Sequence, residues 1–256
     1  MSERVYQPDA GDGTMPVIRL SQTESTNRYL KERVGEFPLG AIAYTDCQLA
    51  GRGRLGRSWE TPPHTALAWS MLWYPQGAVQ GFPLACAVAA LQALEEIAPL
   101  SAYIKWPNDI ICNNRKVCGI LCESGVAEGR PYVIVGVGIN LTQSAEWFDE
   151  VDLPHGASLL QLGGQEVDAD EMATALTKRM TAVIENFEKE GLSPLIPLFR
   201  ERCCTLDREV QVVAEPPFTG VAVDVDNDGN LLVETEEGLR TVFFGEVSVR
   251  GLYGYL

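Results

Sequence analysis

Two periodicities organise this chain. "VIRL" (17–20), "AIAYTDCQ" (41–48), "TALAWSMLWY" (65–74) and "YVIVGVGINL" (132–141) have the apolar density of strands, the last of them a buried one. "PLACAVAALQALEEIA" (83–98) is apolar at helical spacing. In "DADEMATALTKRMTAVIENFEKEG" (168–191), Met172, Leu176, Met180, Val183, Ile184 and Phe187 fall on one helical face. "STNRYLKERVG" (25–35) predicts a helix with Ser25 or Thr26 near its N-cap and Gly35 past its end. "AYIKWPNDIICNNRKVCGILCES" (102–124) predicts one strand, an "NNRK" turn and a second strand. Helices and strands mix without regular alternation, which points to an α+β fold.

After about residue 205 the helical period disappears. "REVQVV", "FTGVAVDV", "NLLVETE", "LRTVFF" and "EVSVRGLY" predict short strands joined by "DNDG" and "EEG" turns, hence a separate small β-barrel. The expected organisation is a core over 1–205, its first 16 residues an extension, and a β-barrel domain over 206–256. "DVDNDG" from Asp224 resembles the start of a calcium loop, but its twelfth position is Thr235 and strands flank it, so a hairpin turn is expected.

Charge narrows the chemistry. A formal net charge of −15 argues against bulk nucleic-acid binding. It also makes Arg52, Arg54 and Arg57 conspicuous, since only 20 basic residues occur in all. They sit in "GRGRLGR" (51–57), which matches the dinucleotide fingerprint G-x-G-x-x-G. That fingerprint requires a following helix and an acidic residue about 20 positions on. Pro62 and Pro63 forbid the helix, and "WSMLWYPQG" contains no acid. No Walker loop and no kinase motif occurs. What remains is a glycine-rich loop whose arginine forks suit phosphate or carboxylate oxygens.

The seven cysteines lie in apolar segments, among them Cys86, Cys112, Cys118 and Cys122, and fit reduced buried thiols. His64 and His155 have no partner at metal spacing, so zinc is not expected. The longest apolar runs are far shorter than the roughly 20 residues of a membrane span, and no secretory signal is visible at the start. A cytoplasmic protein is expected.

"STN", "GRGRLGRSW", "KWPND", "RKVCGILCE" and "VGVGINL", in that order between about residues 20 and 141, resemble the motifs of biotin protein ligases; "FFGEVSVR" resembles the segment that closes that family's last domain. The resemblance implies a mixed-sheet core of the class II aminoacyl-tRNA synthetase type followed by an SH3-like barrel. It also implies a two-step reaction with ATP and Mg²⁺: biotin is activated as biotinyl-5′-AMP, then transferred to a lysine of a biotin carboxyl carrier protein.

By the same resemblance, Lys116 is the essential lysine, reaching the biotin carboxylate and the α-phosphate. Arg52 and Arg54 contact biotin and the adenylate from a mobile loop that includes Gly51 and Gly53, and Arg54 retains the anhydride. Arg57 faces solvent or diphosphate. Ser25, Thr26, Asn27 and Gln48 contact biotin, and Gly119 permits close approach beneath it. Trp59 and Asn140 lie on the nucleotide side or, for Trp59, in the core. Asn108 and Asp109 orient phosphates or magnesium through water, and no metal ligand is assigned.

About 15 residues precede the core, too few for the DNA-binding domain of some members, so no direct DNA binding is expected. The family includes monomers and homodimers, and a homodimer stays among the expected states. Two other readings are a lipoate or octanoyl ligase of the same superfamily, and a non-catalytic biotin-sensing or repressor protein that would lose Lys116 or gain a DNA-binding domain.

Overall fold

The computed structural model describes residues 3–6, 15–77, 79–244 and 248–251; for 3–6 and 248–251 only the backbone path is considered. Most of the expected N-terminal extension, and Gly245 to Val247 of "FFGEVSVR", lie outside the described residues.

The strands of the first sheet are β1 (Glu3–Tyr6), β2 (Val17–Leu20), β3 (Ile42–Thr45), β6 (Ala66–Trp73), β7 (Tyr103–Lys105), β8 (Asp109–Cys112), β9 (Arg115–Ala127) and β10 (Arg130–Asn140). A separate two-stranded hairpin is formed by β4 (Gly51–Arg52) and β5 (Ser58–Trp59). The first sheet runs β1-β2-β3-β6-β10-β9-β8-β7, and its neighbours are antiparallel except for β2 and β3. The helices are α1 (Thr26–Lys31), α2 (Phe82–Ile97), α3 (Ala145–Glu150), α4 (Leu159–Gly163), α5 (Ala169–Glu190) and α6 (Ile196–Arg202). A second, antiparallel sheet contains β11 (Arg208–Val213), β12 (Phe218–Val225), β13 (Leu231–Thr235), β14 (Gly238–Val242) and β15 (Ser248–Gly251), in the order β14-β13-β12-β11-β15. The α+β class and the mixed-sheet core followed by an all-strand unit are therefore observed.

Strand alternation gives the first sheet two unlike faces. Leu67, Trp69, Met71 and Trp73 of β6, with Val133, Val135, Val137 and Ile139 of β10, join the large core beneath α2 and α5. All six apolar positions expected on one face of α5 are buried. The intervening positions, Leu72 of β6 and Ile134 of β10, belong to a second cluster with Leu30 of α1. Farther along that second face the side chains become small, where Ser70 pairs with Gly136 and Ala68 with Gly138. Gly119 of β9 lies opposite Gly138 on the other side. A stretch of sheet without large side chains is left there.

Several local expectations need correction. The helix expected over 25–35 ends at Lys31, with Glu32 as its C-cap, and Gly35 lies beyond it in a turn at φ 96°. "AYIKWPNDIIC" is two strands, because Pro107 cannot donate to a ladder and the chain turns back on itself at 106–108. Lys116 is not a turn residue. The turn is Asn113–Asn114, both at positive φ, as a tight hairpin requires, and Lys116 stands in β9. Helices α3, α4 and α6 are too short to have shown a period. Asp226 accepts hydrogen bonds from the backbone N–H groups of Asp228 and Asn230, and Asp224 takes both forks of Arg200, so "DVDNDG" is a self-capped turn.

The C-terminal sheet does not keep its core to itself. Val210, Val212, Ala222 and Val233 belong to the same buried cluster as α2. Trp106 is the joint: it is 1% exposed, its indole N–H donates to the Gly229 carbonyl at 3.0 Å, and its ring lies 5.3 Å from that of Phe244. Trp106→Ala should cost about 3–5 kcal/mol. Chemical denaturation followed by circular dichroism should show both sheets lost together at lower denaturant, whereas early loss of the C-terminal sheet alone would mean that the joint is not cooperative.

Candidate active site

The sheet face floored by Gly119, Gly136, Gly138 and Ala68 opens into a cleft of about 1030 Å³. All the residues expected in a site line it except Gly51. Gly51 lies just beneath: a Cβ there would come within 2.5 Å of Gln48 Nε2.

One end of the cleft is polar and neutral. Ser25 caps α1 by accepting from the Arg28 N–H at 3.4 Å, as N-cap serines do. The Thr26 N–H donates to Gln48 Oε1 at 3.0 Å. The Ser70 hydroxyl lies 2.7 Å from Thr26 Oγ1 and 2.6 Å from Asn27 Oδ1. Asn27 Nδ2 donates to Glu123 Oε2 at 2.8 Å, and Lys31 Nζ lies 3.5 Å from the other Glu123 oxygen. A Cβ on Gly136 would collide with the Asn27 amide, so glycine is what admits that side chain.

The other end is cationic. Lys116 Nζ lies 2.6 Å from Asp109 Oδ1 and 5.4 Å from the centre of the Trp59 ring. Its backbone is held on both sides, with its N–H donating to the His155 carbonyl at 2.7 Å and its carbonyl accepting from Ala157 at 2.9 Å. A register shift between β8 and β9 precedes the Asp109–Gly119 pairing, and such irregularities re-aim side chains. Arg54 donates to Asn108 Oδ1 at 2.9 Å, and Asn108 Nδ2 donates to the Ile120 carbonyl at 2.9 Å. The "KWPND" turn thus holds the loop arginine. Burial pulls the Arg54 pKa below its ordinary value; Asp109 opposes that shift and Arg57 adds to it. A guanidinium stays charged regardless.

"GRGRLGR" is a hairpin. Gly51 pairs with Trp59 and Arg52 with Ser58, the Gly53 N–H donates to the Arg57 carbonyl at 2.7 Å, and Leu55 and Gly56 take positive φ at its tip. Arg52 and Arg57 are exposed on the cleft rim, so the structure leaves Arg57 facing solvent. Trp59 turns inward and lies over the floor: a Cβ on Gly138 would come within 2.5 Å of its indole, and one on Gly119 within 3.1 Å.

Asn140 faces the cleft but its polar atoms are occupied. Its amide donates to the carbonyls of Ala157 at 3.1 Å and Lys116 at 3.5 Å, and its oxygen accepts from Gln143 at 3.1 Å. It braces the strand that carries Lys116.

Gly136 and Gly138 in the cleft wall, and Ser70 and Glu123 behind it, are additions to the residues expected from the sequence. Gly136 and Gly138 carried a signal, since glycines two apart in a strand mark one face that something approaches closely. Ser70 carried another, a lone hydroxyl inside an apolar strand. The segment 152–156, which also lines the cleft, carried none. All seven cysteines are free thiols, and burial pushes Cys112 up to about 12 and Cys118 higher still, so both stay protonated.

Residues 20–140 match the Biotin/lipoate A/B protein ligase family, and residues 205–250 match the Biotin protein ligase C terminal domain. The chain is 32% identical to the bifunctional ligase/repressor BirA of Salmonella typhimurium over 97% of its own length and 78% of that protein. It is 34% identical to the biotin–[acetyl-CoA-carboxylase] ligase of Mycobacterium tuberculosis over 91% of its length and 88% of that protein. Among solved structures it superposes on the biotin protein ligase of Aquifex aeolicus in complex with biotin and ATP with a TM-score of 0.81, at 30% identity, covering 92% of this chain and 98% of that one. With one family model over the core, a second over the C-terminal sheet and relatives of this similarity along nearly the whole chain, the protein belongs to the biotin protein ligase branch of the biotin/lipoate ligase family.

Proposed function

We propose that this cleft binds biotin and ATP, joins them as biotinyl-5′-AMP, and passes the biotinyl group to a lysine of a biotin carboxyl carrier domain of a carboxylase in the cytoplasm. The observation that carries this reading is the polarity of the cleft: neutral hydrogen-bonding groups at one end, and Lys116 with Arg54 at the other. A cyclic urea fits the first, and two anions that must be brought together fit the second.

Joining a carboxylate to an α-phosphate opposes like charges, so the site must supply fixed positive charge where they meet. Lys116, a compact ammonium on a strand held from both sides, is placed to bridge a carboxylate oxygen and an α-phosphate oxygen. Asp109 holds that ammonium in position. The carboxylate attacks phosphorus, pyrophosphate leaves, and no covalent enzyme intermediate forms. In the second step a neutral lysine amine attacks the anhydride carbonyl and AMP departs. Arg54, held by Asn108, keeps the intermediate in place, and the loop from Gly51 to Arg57 shields it from water. Trp59 offers an aromatic face to the nucleotide.

Asn108 and Asp109 would hold a phosphate-bound magnesium ion through water, and the ion would offset phosphate charge; Asp109 is itself paired with Lys116. We place the catalytic core at 1–205 and the C-terminal domain at 206–256, with Gln211 of β11 reaching the cleft wall. The lipoate alternative is disfavoured by the C-terminal domain match, and the sensor alternative by Lys116 standing in the cleft.

Labelled biotin, ATP, magnesium and a carrier domain should give a labelled carrier lysine; intact biotin binding without transfer would overturn the enzyme reading. Lys116→Ala should lower biotin-dependent pyrophosphate exchange by on the order of 10²-fold or more, and exchange at the wild-type rate would remove Lys116 from its role. Gly138→Ala should displace the Trp59 indole and weaken ATP binding about tenfold while sparing biotin binding. Titration calorimetry with each substrate separates these effects, and equal losses for both would place Trp59 elsewhere than on the nucleotide.

A further inference from the structure

Behind the neutral end of the cleft lies a chain of hydrogen bonds whose direction can be worked out. Glu123, at one end, is a carboxylate beside Lys31 and accepts only. Asn27 must therefore turn its Nδ2 toward Glu123, at 2.8 Å, and its Oδ1 toward Ser70, at 2.6 Å. An amide oxygen also only accepts, so the single Ser70 proton goes to Asn27. Thr26 Oγ1, 2.7 Å away, is left to donate its own proton to Ser70. The other acceptor near that proton, Gln48 Oε1 at 3.4 Å, is farther and also lies within the network. Thr26 lines the cleft, and with its proton directed inward its oxygen faces a ligand as an acceptor. Gln48, whose Oε1 is held by the Thr26 N–H, presents Nε2 as a donor.

We infer that Glu123 and Ser70, neither of which lines the cleft, are positioning residues that set the hydrogen-bond polarity of its neutral end through Asn27 and Thr26. The cleft then selects a ring bearing an N–H donor next to a carbonyl acceptor, and rejects the same shape with an acceptor in place of the N–H. The backbone supports the arrangement. Ser70 pairs with Gly136, whose missing side chain makes room for the Asn27 amide, and Glu123 pairs with Ile134 two residues along the same strand. Ser70 is fully buried, so its hydroxyl is not in contact with bulk water.

This inference rests on the biotin reading of the cleft, and the test keeps the two apart. Binding of biotin is compared with binding of its two cyclic-carbamate analogues, each with ring oxygen replacing one ureido N–H. The wild-type protein should bind the poorer carbamate on the order of 10²-fold more weakly than biotin. Ser70→Ala frees the Thr26 hydroxyl to rotate and donate, and Glu123→Leu frees the Asn27 amide to flip. Each should shrink the gap to under about tenfold. Glu123→Gln keeps an amide oxygen for Asn27 and should restore it. A purely structural role would weaken all ligands together and leave the ratio unchanged. An unchanged gap in Ser70→Ala, or a wild-type protein that binds biotin and carbamates alike, overturns the inference. Should Glu123→Leu fail to fold, Ser70→Ala decides alone. A wild-type protein that binds no biotin would instead overturn the reading of the cleft, and the relay with it.

Discussion

The site depends first on an absence of side chains. Across three neighbouring strands, Gly119, Gly138 and Ala68 form one row, and Gly136 with Ser70 the beginning of the next. Everything else is arranged around that bare floor. Trp59 lies on it, the Asn27 amide fits over Gly136, and the Lys116 ammonium reaches across Gly119, where a Cβ would stand 3.2 Å from Nζ. The opposite faces of the same strands carry Trp69, Val135 and Val137 into the core beneath α2 and α5. One alternating pattern thus supplies both the apolar packing that holds the sheet and the cavity that does the chemistry.

Charge is the second constraint. The chain carries 35 acidic and 20 basic residues, so its overall field repels ATP and carboxylates. The site counters this locally. Lys116 and Arg54 are each anchored to the "KWPND" turn, through Asp109 and Asn108. That turn begins with Trp106, which is wedged against the C-terminal sheet at Gly229 and Phe244. The C-terminal unit is accordingly more than an attachment, because its contact with Trp106 fixes the segment on which both cations rest.

Much of this was legible in the sequence, for identifiable reasons. The apolar face of α5 and the loss of helical period after residue 205 report burial directly. The prolines following "GRGRLGR" rule out a dinucleotide-binding helix by backbone chemistry alone, and the loop is a hairpin. The early end of α1 at Lys31 was not legible, since Glu32 to Val34 continue the helical composition while the chain turns there and the Gly35 N–H is taken by the Tyr74 hydroxyl. Lys116 read as a turn residue because the two asparagines that make the turn stand beside it. Asn140 read as a nucleotide-side residue and does line the cleft, but its hold on Ala157, Lys116 and Gln143 is a property of the folded strands alone. Ser70 and Glu123 lie 43 and 96 positions from Asn27, and no local pattern joins residues so far apart.

In the proposed reaction the two ends of the cleft bring a carboxylate oxygen onto the α-phosphate of ATP. Biotin labelled with ¹⁸O in its carboxylate, turned over with ATP and a carrier domain, tests this by mass spectrometry of the nucleotide product. If the carboxylate attacks the α-phosphate and the carrier amine then attacks the carbonyl, the released AMP carries one ¹⁸O atom. Label in inorganic phosphate with ADP as the nucleotide product, or AMP free of label, would contradict it.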